Sequence, residues 1–191
     1  IIESTAGEVS AELLRRGERI ALMTDARSAA YDSAAFANAE RFVLSGAGLS
    51  GRGFRRAVRG AMQLMAGTMQ ARRHLAMLMP SAVVGFGGYA SFPPLAAARL
   101  MGASRRPAII LHEQNAVLGR ANRLMARAAD LLALSFEDTA NVPAGTRSAV
   151  VGNPVRPALA ALATQPYPTP PEGGALRLLV TGGSQGARIF A

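Results

Sequence analysis

Residues 108–123 read Ala-Ile-Ile-Leu-His-Glu-Gln-Asn-Ala-Val-Leu-Gly-Arg-Ala-Asn-Arg, and the fold is read from them first. Ala108 to Leu111 is a short apolar run, as in a strand buried on both faces of a parallel sheet. Four polar residues follow at once: His112, Glu113, Gln114 and Asn115. A helical stripe then begins. Val117, Leu118, Ala121, Leu124, Met125 and Ala128 lie on one side of it, and Arg120, Asn122, Arg123 and Arg127 lie off it. Ligands of open α/β sheets sit beyond the carboxyl ends of the strands, and residues 112–115 occupy that place. A polar turn capping a helix is the plainer reading, but four hydrogen-bonding side chains in a row exceed what a cap uses.

Strand and helix alternate in both directions from this stretch. Upstream, Thr5 and Glu8 have capping-box spacing. Arg15-Arg16 fall in the last turn of that helix and Gly17 at its C′ position. Arg19 to Met23 reads as a strand ended by Thr24-Asp25, and Arg41 to Leu44 as another. A helix, a glycine and a strand form the second half of a strand–helix–strand unit, so the pattern suggests a chain lacking its first strand. Ser45 to Gly53 is glycine-rich and reads as a surface loop. Phe54 to Leu78 is one long helical pattern in which Val58, Ala61, Met62, Met65 and Met69 repeat, while Arg52, Arg55, Arg56 and Arg59 crowd its start. This stripe is either a core face or a membrane-surface patch of apolar groups and arginines. Pro80 ends the helix, and Ala82 to Phe86 reads as a buried strand.

Two glycine loops follow hydrophobic strands. The first is Gly87-Gly88-Tyr89-Ala90-Ser91, after which Pro93-Pro94 open a helix running to Met101. Gly85, Gly87 and Ala90 fit the G-x-G-x-x-A form of the dinucleotide fingerprint, although the prolines delay the helix. Downstream, Leu131–Leu134 and Ser148–Val151 read as strands, the latter ending in Gly152-Asn-Pro-Val-Arg156. Residues 158–175, rich in proline and glycine, read as a linker. Leu176–Thr181 is a strand that opens a second domain over 176–191. It runs into the second loop, Gly182-Gly183-Ser184-Gln185-Gly186-Ala187-Arg188, an anion-binding arrangement without the Gly-Lys-[Ser/Thr] of a P-loop.

Composition narrows the chemistry. The 191 residues carry 21 Lys and Arg against 12 Asp and Glu, a net charge of +9, which favours anionic partners. There is no Cys, and the two histidines, His74 and His112, lie far apart, which argues against disulfides, a thiolate nucleophile or a metal site. No apolar run approaches the ~18 residues of a membrane span. Aromatics make up 5% and include no Trp, which argues against a nucleic-acid stacking platform.

Gly-Gly-Tyr-Ala-Ser (87–91), His-Glu-Gln-Asn (112–115), Gly-Asn-Pro-Val-Arg (152–156) and Gly-Gly-Ser-Gln-Gly-Ala-Arg (182–188) occur in that order. The ordered set resembles the MurG family of GT-B glycosyltransferases, from about residue 8 to the end. The resemblance implies an α/β fold. Residues 1–157 would form a Rossmann-like parallel sheet with helices on both faces, the acceptor- and membrane-binding domain, and a second Rossmann-like domain would begin at 176. It implies transfer of N-acetylglucosamine from UDP-N-acetylglucosamine to lipid-linked muramyl-pentapeptide, by inversion and without metal or other cofactor. It assigns Asn115, Arg156 and Ser184 to the donor, the last in the loop of Gly182, Gly183, Gln185 and Gly186. Gly87, Gly88, Tyr89, His112, Glu113 and Gln114 would line the acceptor side. Arg52, Phe54, Arg55, Arg56, Val58, Arg59, Met62 and Met65 would meet an anionic membrane at the cytoplasmic face of the inner membrane, with no nucleic acid as partner.

Two departures from the family pattern matter. Its opening Gly-Gly-Thr-Gly-Gly-His loop, the source of a candidate general base, has no counterpart, so no catalytic residue is assigned. Its donor domain continues well past residue 191. The resemblance therefore implies that these residues alone lack transferase activity. Two other classes fit parts of the sequence: a dinucleotide-binding oxidoreductase domain using Gly85-x-Gly87 with Glu113 as the ribose-binding acid, and a non-catalytic basic module on a membrane.

Overall fold

The computed structural model describes residues 2–26, 36–37, 39–45, 54–166 and 173. The predicted strand 176–181, the glycine loop that holds Ser184, and Arg52 in the loop before the long helix lie outside them. The chain divides into two compact units, Ile1–Arg156 and Pro157–Ala191.

In the first unit α1 (Ile2–Arg15) leads into β1 (Ala21–Asp25), then β2 (Glu40–Leu44), α2 (Phe54–Leu78), β3 (Ala82–Gly85), α3 (Phe92–Arg99), β4 (Ala108–Glu113), α4 (Arg120–Met125), β5 (Leu131–Leu134) and β6 (Ser148–Val150). All strand pairs are parallel. They form two hydrogen-bonded sets, β1–β2 and β3–β4–β5–β6. The register aligns Gly85 with Leu111, and Glu113 with Leu134, so that β3, β4 and β5 end near one another. Leu95, Ile109, Leu111 and Leu132 are at most 1% exposed and centre the core, which Leu44, Leu75, Ala97, Ala98 and Leu118 extend. Each such leucine contributes about 1.5–3 kcal/mol by leaving water.

Helix ends follow local chemistry. Gly17 N–H donates to the Leu14 carbonyl at 2.9 Å and Glu18 N–H to the Leu13 carbonyl at 3.0 Å, the paired bonds that close a helix around a C′ glycine. The predicted N-cap is displaced. The helix already begins at Ile2, so Thr5 is a buried residue inside it. Thr24 and Asp25, expected to end the strand, are buried members of β1. β3 reads from sequence as a buried strand, but Ala82 and Val84, which alternate onto one face, are exposed while Gly85 is buried.

α2 spans the predicted residues, and of the two readings of its Met-rich stripe the core face is the one the structure removes. Val58, Met62, Met65 and Met69 are 43%, 62%, 66% and 46% exposed, while Gly67, Thr68, Ala71 and Leu75 are buried. The cause is distance. A Cβ on Gly67 would stand 2.1 Å from the carbonyl oxygen of Ser45 and 3.4 Å from Cβ of Pro93. Gln70 secures this approach, since its Oε1 accepts from Ser45 N–H at 2.8 Å and its Nε2 donates to Ser45 Oγ at 3.1 Å. Only a small side chain fits at Gly67, and the Met-rich stripe lies on the exposed face.

In the second unit, α5 (Pro157–Ala160) and a 3-10 turn (Ala161–Thr164) occupy the start of the expected linker. Pro157 suits the first helical position, and the residues after it are mostly Ala and Leu, good helix formers.

Candidate functional site

The site lies at the carboxyl ends of β3 and β4. After β3 the chain turns through Gly87 and Gly88, with φ of 89° and 74°, a left-handed backbone that glycine adopts without a Cβ penalty. Ser91 Oγ donates to the Gly87 carbonyl at 2.6 Å and closes this turn. Beyond β4, residues 114–119 form a loop fixed on two sides. Ala140 N–H donates to the Ala116 carbonyl at 2.8 Å and Leu118 N–H to the Ala140 carbonyl at 2.9 Å. On the other side stands Glu113.

The polar run is split differently from the sequence expectation. His112 and Glu113 are not in the loop. They are the last residues of β4, 5% and 2% exposed, and Gln114 is also buried. Glu113 Oε1 accepts from Asn115 N–H at 3.1 Å and from Asn115 Nδ2 at 2.8 Å, and Oε2 accepts from Gly119 N–H at 2.8 Å and from Asn122 Nδ2 at 3.0 Å. Asn122 Nδ2 also donates to the His112 carbonyl at 3.1 Å. These four donors solvate the carboxylate inside the protein.

The His112 tautomer follows from its neighbours. Gln114 Nε2 is a donor and faces Nδ1 at 3.0 Å, so Nδ1 accepts. The Gly152 carbonyl is an acceptor and faces Nε2 at 3.2 Å, so Nε2 carries the proton. Both ring nitrogens are thus engaged, Nδ1 locally by Gln114 and Nε2 in joining β4 to the segment after β6. The ring also sits 5.9 Å from that of Phe86, tilted by 45°. Asn153 adds a second tie, donating from Nδ2 to the Gln114 carbonyl at 3.1 Å and accepting at Oδ1 from Ser135 Oγ at 2.8 Å.

A cavity of about 180 Å³ opens between the glycine turn and the loop. Phe86, Gly87, Gly88 and Tyr89 line one side, and Glu113, Gln114 and Asn115 the other. Gly119, Arg120, Ala121 and Asn122 complete it. His112 is outside this lining. Arg156 is exposed in the segment that carries Gly152 and Asn153.

The sequence reading missed Asn122 and Arg120. Its stripe began at Val117, whereas α4 starts at Arg120, because Glu113 draws Gly119 N–H inward and delays the helix. Val117 and Leu124 are 56% and 69% exposed in consequence, and Asn122, Met125 and Ala126 face inward. An asparagine and an arginine close behind the run of polar residues were the available signal.

The dinucleotide alternative does not survive this geometry. Gly85 belongs to β3, where a Cβ would meet Leu95 Cδ1 at 2.8 Å, and Ala90 sits in a 3-10 turn before α3. Both oxygens of Glu113, the proposed ribose-binding acid, are held by the chain itself. Among the described residues no helix is long and apolar enough to cross a membrane.

Fold and crevice define a parallel α/β domain with its polar loops gathered at the carboxyl ends of the strands. The chain belongs to glycosyltransferase family 28, whose N-terminal domain matches residues 8–133. It is 59% identical over 186 residues to a protein of Acidiphilium cryptum named UDP-N-acetylglucosamine--N-acetylmuramyl-(pentapeptide) pyrophosphoryl-undecaprenol N-acetylglucosamine transferase, covering 97% of this chain and 50% of that protein. A protein of the same name from Granulibacter bethesdensis is 54% identical, with 97% and 48% covered. The chain thus spans about half the length of the curated relatives it matches. The crystal structure of Acinetobacter baumannii MurG superposes with a TM-score of 0.61 at 25% identity, over 80% of this chain and 42% of that one.

Proposed function

We propose that this chain acts in the transfer of N-acetylglucosamine from UDP-N-acetylglucosamine to undecaprenyl-diphospho-N-acetylmuramyl-pentapeptide. The observation that carries the reading is the joining of three sequence-distant motifs at one end of the sheet. Gly87–Tyr89 and Glu113–Asn115 line one cavity, and Gly152–Asn153 is hydrogen-bonded to the second of these. The names of the relatives supply the two substrates. In this reading Asn115 and Arg156 contact the donor, Ser184 its diphosphate region, and Tyr89 with its glycines the acceptor side.

The reaction is a displacement. An acceptor hydroxyl oxygen forms a bond to the anomeric carbon while the bond from that carbon to the phosphate oxygen breaks, with inversion. The hydroxyl proton passes to a base and UDP departs with the bonding pair. Arg156 offers a planar guanidinium suited to the departing diphosphate, and the glycine loop around Ser184 offers backbone N–H groups. No metal is called for in this scheme.

The exposed face of α2 supports peripheral attachment at the cytoplasmic side of the membrane. Beside it lies an open hollow of about 530 Å³ lined by Ser45, Val58, Arg59, Met62, Gln63 and Ala66. Apolar groups can enter the headgroup region there while Arg59, with Arg52, Arg55 and Arg56 earlier in sequence, meets anionic lipid.

Titration of the ¹⁵N-labelled chain with UDP-N-acetylglucosamine tests the reading. Amide shifts are expected at residues 86–89, 113–122, 152–156 and 182–188, reduced in Asn115→Ala and Arg156→Ala. Shifts elsewhere, or none, would overturn it.

A further inference from the structure

We infer that Glu113 is a positioning residue. It holds the side-chain amides of Asn115 and Asn122 with nitrogen inward, so that the exposed Asn115 presents its oxygen to whatever enters the cavity. An ionised carboxylate only accepts hydrogen bonds. Glu113 is 2% exposed, and the groups within hydrogen-bonding distance of its oxygens are all N–H donors: the backbone of Asn115 and Gly119 and the amide nitrogens of Asn115 and Asn122. Turning either amide over would set an oxygen against a buried carboxylate, which is repulsive and leaves that carboxylate short of a donor. Gln114 follows the same rule, with Nε2 held by Nδ1 and the carbonyl of His112.

The consequence is chemical. Asn115 is exposed and lines the cavity, and one of its two Nδ2 hydrogens is engaged by Glu113. Its remaining Oδ1 can only accept. The group that complements this oxygen is a hydroxyl or an N–H, as on a sugar, an acetamido group or a nucleobase. The identity of that ligand rests on the transferase reading above; the orientation of the amides does not.

The orientation is tested first without ligand. In the ¹⁵N-labelled chain the Asn115 side-chain NH₂ is assigned by its loss in Asn115→Ala, and the one of its two hydrogens that faces Glu113 should exchange with solvent at least about tenfold more slowly than a free amide, the ratio that corresponds to ~1.4 kcal/mol of hydrogen bonding. Exchange at the free-amide rate would overturn the inference. A charge-reversal pair tests it second. Asn115→Asp should lower Tm by placing one carboxylate against another. Adding Glu113→Gln should restore part of the loss, because the glutamine nitrogen can donate to Asp at 115, giving up only the bond from the backbone N–H of residue 115, while its oxygen keeps Gly119 and Asn122. If Glu113→Gln lowers Tm equally in both backgrounds, the inference fails. With ligands, Asn115→Ala should weaken UDP-N-acetylglucosamine about tenfold and leave inorganic pyrophosphate unchanged. Equal weakening of both would overturn the oxygen-outward reading. Failure of the wild-type chain to bind UDP-N-acetylglucosamine, with the exchange result intact, would instead overturn the transferase reading.

Discussion

Asn153 donates from Nδ2 to the backbone carbonyl of Gln114 across 3.1 Å, and with Ser135 on its Oδ1 it bridges the ends of β4, β5 and β6. Ser135 Oγ also lies 2.7 Å from the Glu113 carbonyl, so its one hydroxyl hydrogen is shared between that carbonyl and Asn153 Oδ1. Asn153→Ala removes both bonds. It should cost about 1–2 kcal/mol, the usual worth of one or two such bonds, with faster hydrogen exchange concentrated at residues 114–119. A loss spread evenly over the domain would show that the bridge has no special hold on the loop.

Gly67→Ala should be among the most damaging single changes. The added methyl would meet the Ser45 carbonyl at 2.1 Å, a backbone atom that cannot rotate away. Overpacking of this kind costs about 3 kcal/mol or more, against the ~1 kcal/mol that alanine recovers in helix propensity. Urea unfolding of the two proteins measures the difference. Equal or greater stability in the variant would mean that α2 and the end of β2 are not held together as described.

Acid should weaken the chain through Asp130. The Arg106 guanidinium, bound at 2.7 and 2.9 Å, and the Ile109 N–H at 2.7 Å hold its carboxyl below the usual carboxylate range. A depressed carboxyl contributes stability above its unfolded pKa of ~3.9, and that contribution fades as pH falls through the lower folded value. The pair is partly solvated, with 28% and 39% side-chain exposure, so about 1 kcal/mol or less is at stake. Asp130→Asn should be less stable than wild type at pH 7 and equal to it at the acid end. A gap that persists in strong acid would rule out the charge as its source.

Membrane attachment is tested by co-sedimentation with vesicles of anionic and of neutral lipid. Binding should favour the anionic vesicles. It should fall when Arg52, Arg55, Arg56 and Arg59 are all replaced, at about 1 kcal/mol for each charge near the surface. Met62→Ser with Met65→Ser should weaken it further while leaving the salt dependence in place. Undiminished binding by the arginine-depleted chain would remove this role from the face.

Much of the architecture was legible because it is written in local pattern. The alternation of apolar runs with helical stripes marked β3, β4, β5 and the full extent of α2, and the polar residues after Leu111 marked the functional end of the sheet. Finer features were not legible. Periodicity shows that a helix has two unlike faces without saying which one a neighbour covers. For α2 the large Met-rich face was the natural choice for the core, and it is the exposed one. The α4 stripe slipped for a related reason, since a long-range bond from Glu113 to Gly119 N–H set where the helix began.

What the amino-acid order determined by itself was the class of fold, the family resemblance and the list of polar residues near the crevice. All of these follow from hydrophobic spacing and from short motifs that neighbours in the chain impose. Tertiary structure alone decided the use of those residues. Glu113 turned inward to hold Asn115 and Asn122, His112 became a strut between β4 and the segment after β6, and Gly67, Thr68 and Ala71 joined Leu75 on the buried face of α2. Such choices depend on what lies within about 3 Å across the fold, and residues that meet at that distance here are separated by up to 40 positions in the chain.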